Sequence, residues 1–282
     1  MLTDHARPSL SIIIPAHNEA GMIGPCLDAL FASDWSDGGV EVIVVANGCS
    51  DATVPEAEAY AGAAQARGWQ LQVLDLVEGS KPGALNAGER TATGDIRAYL
   101  DADVQIDPRL LSEISGALAG DTPAYASGRV QIPSPHNAFS RAYARFYRQV
   151  PFFHHGVPGC GFFAMNRAGR ARWGDWPAII SDDTFARLNF APAERIAVKA
   201  GYCWPIVEGF GALVKVRRRQ DRGVREFAER YPALLVNDDT RPGACAWLPR
   251  AALRAPVGFL AYVAVAIAVR TGKSSGEWTR GR

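Results

Sequence analysis

Asp101-Ala102-Asp103 stands directly behind the apolar run at residues 96–100. In an extended chain, residues i and i+2 project to one side, so the two carboxylates are expected to converge. Converging carboxylates repel unless a cation sits between them, and hard oxygen donors suit Mg2+ or Mn2+. The same three residues also describe a pair of turn-capping aspartates. Their position after a buried strand favours the metal.

Five other clusters carry related chemistry. Ser181-Asp182-Asp183-Thr184 sets two carboxylates side by side. Burial and mutual repulsion drive such a pair apart in pKa and suit one member to act as a base. An N-cap and acidic first turn of a helix running to Asn189 would look alike. Lys81, one of 4 lysines in the chain, lies in Ser80-Lys81-Pro82-Gly83. A helix start there would attract a phosphate, although the order of a P-loop is absent. Pro15-Ala16-His17-Asn18-Glu19 and Asn47-Gly48-Cys49-Ser50-Asp51 add amides and carboxylates in patterns that also suit a helix start and an Asx turn. Residues 215–223 hold Arg217, Arg218, Arg219 and Arg222. Their guanidinium forks could clamp a diphosphate, or face solvent or a membrane.

These groups need a scaffold, and the first third of the chain describes one. Residues 10–14, 41–46, 71–76 and 96–100 read as strands. Between and after them, helices are expected at about residues 20–33, 51–67, 82–93 and 108–119. Ser50 or Asp51 would cap the second of these, and Asp107-Pro108 would open the fourth. Strands that alternate with helices and are apolar on both faces form a parallel sheet covered on both sides. Ligands of such sheets bind beyond the carboxyl ends of the strands, where each of the early clusters falls.

After residue 120 the alternation stops. Residues 124–132 and 160–165 read as strands, and residues 137–150 as a helix carrying Arg141, Arg145 and Arg148 on one face. Residues 1–120 carry 17 Asp or Glu against 6 Lys or Arg, and residues 121–282 carry 12 against 24. An acidic half could hold a cation and a basic half could meet phosphates or an anionic membrane. Residues 255–269 are continuously apolar between Arg250, Arg254, Arg270 and Lys273. Fifteen helical residues reach about 22 Å, short of a bilayer core of roughly 30 Å. An interfacial helix fits that length, as does one packed on the protein's own core. The odd cysteine count (5) with no C-x-x-C pair argues against a disulfide framework, and the polar residues 1–8 do not resemble a cleavable leader. A cytoplasmic protein is expected, one that could lie on the inner face of the cell membrane, with no nucleic-acid partner.

Taken together and in order, the segments IIIPAHNEA, ANGCSDAT, K-x-x-A-L-N-x-G, DADV, GCGFFAM, SDDTF and the late arginine cluster resemble the inverting family 2 glycosyltransferases of the GT-A fold. The resemblance runs from about Leu10 to Gly223. It implies a GT-A-like, Rossmann-like α/β fold whose mostly parallel sheet is flanked by helices, with a C-terminal acceptor-side region and an apolar tail helix. Residues 1–120 would form the nucleotide-sugar half, residues 121–235 the acceptor and catalytic half of the same domain, and residues 236–282 the tail. Pro15, Asn18, Glu19, Asn47, Asp51, Lys81 and Asp101 would line the nucleotide pocket, and Arg218 and Arg219 would face the diphosphate. Asp103 would ligate the divalent cation. The stretch from Gly159 to Met165 would form the acceptor-side floor. Asp183 would be the general base, preceded by Asp182. Asp103 and Asp183 would then meet around a common cleft.

Three departures refine this. Ala46-Asn47 replaces an Asp pair common in the family; an amide oxygen still accepts from a pyrimidine N3–H, so a UDP-sugar is the expected donor. Absence of the Q-x-x-R-W motif points to transfer of a single sugar rather than polymerisation. With no multi-span membrane bundle, any membrane contact would be peripheral or single-anchored, and the expected acceptor is a saccharide or lipid-linked saccharide of envelope or exopolysaccharide synthesis. The competing readings are a nucleotidyltransferase on a related fold, which would want a Gly-rich basic loop after the first strand, and a non-catalytic sugar-nucleotide or lipid-binding protein.

Overall fold

The computed structural model describes residues 9–35, 39–239 and 247–271. Cys245 and Lys273 lie outside them, as do residues 1–8. The chain folds into two compact units. The first comprises the residues up to 131 with 159–178 and 189–204; the second comprises 132–158, 179–188 and the residues from 205 onward.

The first unit is built on one sheet of eight strands in the order β3-β2-β1-β4-β7-β6-β8-β5. These are β1 (Leu10–Ala16), β2 (Val40–Asn47), β3 (Gln70–Leu76), β4 (Ile96–Leu100), β5 (Gln105–Ile106), β6 (Tyr125–Gln131), β7 (Phe162–Asn166) and β8 (Arg195–Cys203). β3, β2, β1 and β4 are mutually parallel, β7 runs antiparallel to β4 and β6, and β8 is parallel to β6. β2 is buried at every position and β1 at all but Pro15, because helices cover both faces. β3 closes one edge and is accordingly half-exposed. The four expected early strands thus form, each within two residues of its expected ends.

The helices of this unit are α1 (Ile23–Phe31), α2 (Thr53–Glu58), α3 (Ala61–Ala66), α4 (Lys81–Thr91), α5 (Leu110–Ala117) and α7 (Arg167–Arg170). The helix expected at residues 51–67 is broken at Ala59–Tyr60. There Tyr60 turns towards α1 and donates its hydroxyl to the Gly24 carbonyl at 3.0 Å and to Asp28 at 2.8 Å. α5 starts at Leu110 rather than at Pro108, because the Asp107 carboxylate accepts the Arg109 N–H and makes a turn first. Neither Ser50 nor Asp51 is the N-cap of α2, which is Ala52.

The second unit holds α6 (Ala138–Tyr147), α8 (Asp182–Leu188), α9 (Phe210–Arg230), α10 (Leu248–Arg254) and α11 (Pro256–Thr271). The basic stretch read as a loop or patch belongs instead to α9, a 21-residue helix, as arginine's good helix propensity allows. On α6 only Arg141 and Arg145 share the expected stripe. Arg148 follows the helix and turns its Nε to the Ile132 carbonyl at 2.8 Å. The apolar run at residues 255–269 forms α11, and the short α10 precedes it, ending at Arg254. α11 packs Gly258, Ala261 and Val265 inward, with Phe259 and Tyr262 against Phe146 of α6, and exposes Val257, Leu260 and Ile267. One face is thus packed on the protein, as the second expectation had it, and the other is open. No helix among the described residues is long and apolar enough to cross a membrane.

Candidate active site

β2 and β3 follow β1 to one side while β4 lies on its other side, so the carboxyl ends of β1 and β4 flank the point where strand order reverses. The β1–β4 ladder stops at Ile13 paired with Tyr99, whereas β1 continues along β2 to Ala16. Pro15, which has no N–H to donate, falls just beyond that stop. In open α/β sheets this reversal point is where ligands bind.

The loops after β1 and β2 are tied together by the residues singled out in the sequence. Asn18 adopts a left-handed conformation at φ 56°, which Asn tolerates, and its Oδ1 accepts from the Ser50 N–H at 2.7 Å. The Glu19 N–H donates to Thr53 Oγ1 at 2.8 Å and the Ala20 N–H to Asp51 Oδ2 at 3.2 Å. Asp51 Oδ1 accepts from Thr53 Oγ1 at 2.6 Å. Burial pushes the Asp51 carboxyl up in pKa, and these hydrogen bonds more than reverse it, holding it below the usual range. Asn47 is buried. Its amide donates to the Ala16 carbonyl at 2.8 Å and its Oδ1 accepts from the Ser80 N–H at 3.0 Å, clipping β1 and β2 to the start of α4. Next to it Gly48 has φ 59°, and a Cβ there would lie 2.7 Å from the Gly79 nitrogen.

Ser80 caps α4, accepting from the Gly83 N–H, and Pro82 sits in the first turn. Lys81 on that turn reaches across to β4, its Nζ 3.0 Å from Asp101 Oδ1. The Asp101-Ala102-Asp103 segment differs from expectation in one respect. The strand has already ended, and the Val104 N–H donates to the Asp101 carbonyl at 3.0 Å, so the two carboxylates ride on a tight turn and not on an extended end. Gly161 creates that turn by accepting the Asp101 N–H at 2.8 Å. With φ 80° and a would-be Cβ 2.6 Å from Trp204 and 2.9 Å from Val104, the position tolerates no side chain. The neighbouring backbone is pinned from below: Tyr202 donates its hydroxyl to the Cys160 carbonyl at 2.8 Å and Ser127 to the Phe162 carbonyl at 2.7 Å. Of the expected acceptor floor, Phe162, Phe163, Ala164 and Met165 are core residues of β7. Beneath the turn Cys26 is buried, and burial followed by the charges of Asp101 and Glu19 pushes its thiol far up in pKa, so it stays neutral.

Among the described residues no three His, Cys, Asp or Glu side chains gather to hold a metal by themselves. Two half-buried carboxylates on a turn nevertheless suit a cation that keeps most of its shell for water and phosphate oxygens, as Mg2+ does. The donor set fits.

In the second unit, Asp182 and Asp183 begin α8; Asp182 is buried and Asp183 half-buried. Asp183 Oδ1 accepts from the Thr184 N–H at 2.7 Å. The start of the helix is braced by α9, where Glu226 accepts the Ile180 N–H at 3.1 Å and Gly223 leaves room for Ser181. Arg187, buried, binds Asp238 and Asp239 at 3.2 Å each. On α9, Arg218 donates to the Ala268 carbonyl of α11 at 2.7 Å, while its buried Nε has no hydrogen-bond partner among the described residues. Arg219 is half-buried beside it. Tyr202 and Glu226, which hold these loops, were not singled out by sequence reasoning, and Thr53, Ser80 and Gly161 entered it only as members of longer segments. Only Ser80, three residues before a glycine and one before Lys81-Pro82, carries a readable cap signal.

The profile described as Glycosyl transferase family 2 matches residues 11–196. The chain belongs to that family. Glycosyltransferase AglE of Haloferax volcanii is 30% identical over 128 residues, covering 45% of this chain and 41% of that protein. Dodecaprenyl-phosphate galacturonate synthase of Rhizobium johnstonii is 33% identical over 107 residues, 36% of this chain and 29% of that one. The matched segment therefore spans less than half of either relative. Among solved structures, mannosyltransferase PcManGT from Pyrobaculum calidifontis in complex with GDP-Man and Mn2+ superimposes with a TM-score of 0.62 at 23% identity, covering 96% of this chain and 77% of that one. Glucosyl-3-phosphoglycerate synthase from Mycobacterium tuberculosis, in complex with Mn2+, UDP and glucosyl-3-phosphoglycerate, gives a TM-score of 0.53 at 20% identity, covering 79% of this chain and 80% of that one. These superpositions establish the fold, the GT-A-like α/β architecture.

Proposed function

We propose that this family 2 protein is an inverting glycosyltransferase that moves a single sugar from a UDP-sugar to a hydroxyl of a saccharide or lipid-linked saccharide. The carrying observation is the Lys81–Asp101 pair, set on the turn that also bears Asp103 at the reversal point of the sheet. Pro15, Asn18, Glu19, Asn47 and Asp51 shape the nucleotide pocket, Asn47 and Asp51 by fixing its loops. Asp103, with Asp101 beside it, would hold Mg2+ or Mn2+. When bound, that cation supplies neutralising charge for the diphosphate. Lys81 adds charge-assisted hydrogen bonds to the same group.

Asp183 accepts the proton of the acceptor hydroxyl, whose oxygen attacks the anomeric carbon as the bond to the diphosphate breaks on the opposite face, inverting the configuration. Asp182, buried against the same helix start, keeps Asp183 in place. The relative named for a dodecaprenyl-phosphate product supports a lipid-linked acceptor, and α11, with one apolar face open, supports peripheral contact at the inner face of the cell membrane. The test is a screen of nucleotide sugars for metal-dependent release of free nucleotide, with and without membrane extract. Release from a UDP-sugar that rises with Mn2+ and extract is the expected result; no release from any nucleotide sugar under these conditions overturns the proposal.

A further inference from the structure

The second unit contains a cavity of about 550 Å3 between α6 and the α10–α11 corner. Arg141, Arg145 and Gln149 line it from α6, and Arg254, Val257 and Gly258 from the corner. Three arginines face it, and among the described residues no carboxylate lines it. Arg141 also donates to the Pro135 carbonyl at 3.1 Å, and the charge of Glu208, whose carboxylate is occupied by the His136 and Asn137 N–H groups, reaches it. Arg145 and Arg254 have no side-chain hydrogen bond or ion pair among the described residues. The first turn of α11 opens at the same place, adding the positive end of a 16-residue helix.

The surroundings select the kind of anion. Val257 (69% exposed) lines the cavity, Leu253 (85%) precedes Arg254 on α10, and Leu260 (67%) and Ile267 continue the exposed aliphatic side chains along α11 towards Arg270. A soluble phosphate ester would find three arginines but no use for a row of exposed aliphatic side chains. A bilayer uses both: lipid phosphates meet the arginines, and the aliphatic residues enter the boundary between head groups and acyl chains.

We infer that this corner is a docking site for an anionic phospholipid bilayer, with one lipid phosphate seated between Arg145 and Arg254. The inference deepens the membrane-facing part of the proposed function and is independent of its chemistry. Each juxtamembrane arginine strengthens attraction to an anionic surface by about fivefold, and the attraction fades within a Debye length as salt rises. Both arginines are solvent-facing, so their replacement leaves the fold intact.

The test sediments the full chain with vesicles of phosphatidylcholine alone or mixed with phosphatidylglycerol, at low and high salt. Binding is expected only to the mixed vesicles, falling with salt. The double variant R145Q/R254Q should bind about 25-fold more weakly, and L253S/L260S should also detach. Metal-dependent nucleotide release without membranes, measured on the same variants, should match the parent, which separates failure of docking from failure of the catalytic reading. Equal binding to neutral vesicles, undiminished binding of R145Q/R254Q, or a dimer in sedimentation equilibrium that L253S/L260S abolishes would each overturn the assignment, the last by giving the apolar stripe to a second copy of the chain.

Discussion

Lys81 Nζ lies 3.0 Å from Asp101 Oδ1, joining the first turn of α4 to the end of β4. The two side chains remain 34% and 36% exposed, so solvent screens the pair and it contributes little to stability, on the order of 0–1 kcal/mol. Its meaning is positional: a cation and a carboxylate are held together before any ligand arrives.

Replacing Lys81 by Met should therefore separate binding from folding. A charge-assisted hydrogen bond to a diphosphate is worth roughly 1.5–3 kcal/mol, which is a loss of about ten- to a hundredfold in donor affinity. Calorimetric titration with UDP-sugar and Mn2+ measures the affinity, and thermal unfolding checks that Tm moves by no more than a few degrees. An unchanged Kd would remove Lys81 from the donor site.

Asp103 offers a sharper contrast. If it holds the cation, D103A should erase the difference between donor affinities measured with and without Mn2+, while the affinity without metal stays as in the parent. Equal enhancement by Mn2+ in D103A and in the parent would place the cation elsewhere. D103N is the companion variant: it keeps the shape of the turn and removes only the charge, so its agreement with D103A assigns the loss to ligation.

Parallel strands buried on both faces read as unbroken apolar runs, which is why β1, β2 and β4 and the clusters at their ends could be placed from sequence. The turn at Asp101–Val104 could not. It depends on the Gly161 carbonyl accepting the Asp101 N–H, a contact across 60 residues that no local pattern encodes. Asn47 shows the same limit. Its type suggested a ligand contact, whereas its amide closes three internal hydrogen bonds, to Ala16, Val45 and Ser80. For α9 the signal was present and misleading, since a run of arginines looks like a solvated loop, yet Arg217 lies over the rings of Tyr147 and Tyr262 and Arg218 reaches Ala268.

Asp183 as general base predicts a selective loss. D183N keeps the size and the acceptor oxygen that receives the Thr184 N–H, so α8 and donor binding should persist. Transfer should fall by about 100-fold or more, the usual contribution of a positioned base. Single-turnover transfer to an added acceptor is the measurement. Near-parental rates would move the base to another residue.

Glu41 supplies a test of the scaffold beneath the site. It is buried at 7% exposure and accepts from Ser11 Oγ at 2.6 Å, from the Thr93 N–H and hydroxyl, and from the Gly94 N–H, tying β2 to β1 and to the segment entering β4. Burial raises its pKa, and these donors together lower it further, leaving it below the ordinary glutamate value of 4.5. The folded state therefore binds the proton less readily than the unfolded chain, so this contribution is complete above about pH 4.5 and disappears as pH falls through the depressed folded value. E41A removes the acceptor of four donors, of which the Ser11 hydroxyl and the Gly94 N–H are buried, and should cost on the order of 3 kcal/mol at neutral pH. In urea unfolding followed from pH 7 down to pH 3, parent and variant should converge on the acid side, because only the parent has this proton-linked stability to lose. A gap that stays constant across that range would show that the carboxylate's charge plays no part in holding β1, β2 and β4 together, and with them the strand ends that the donor site requires.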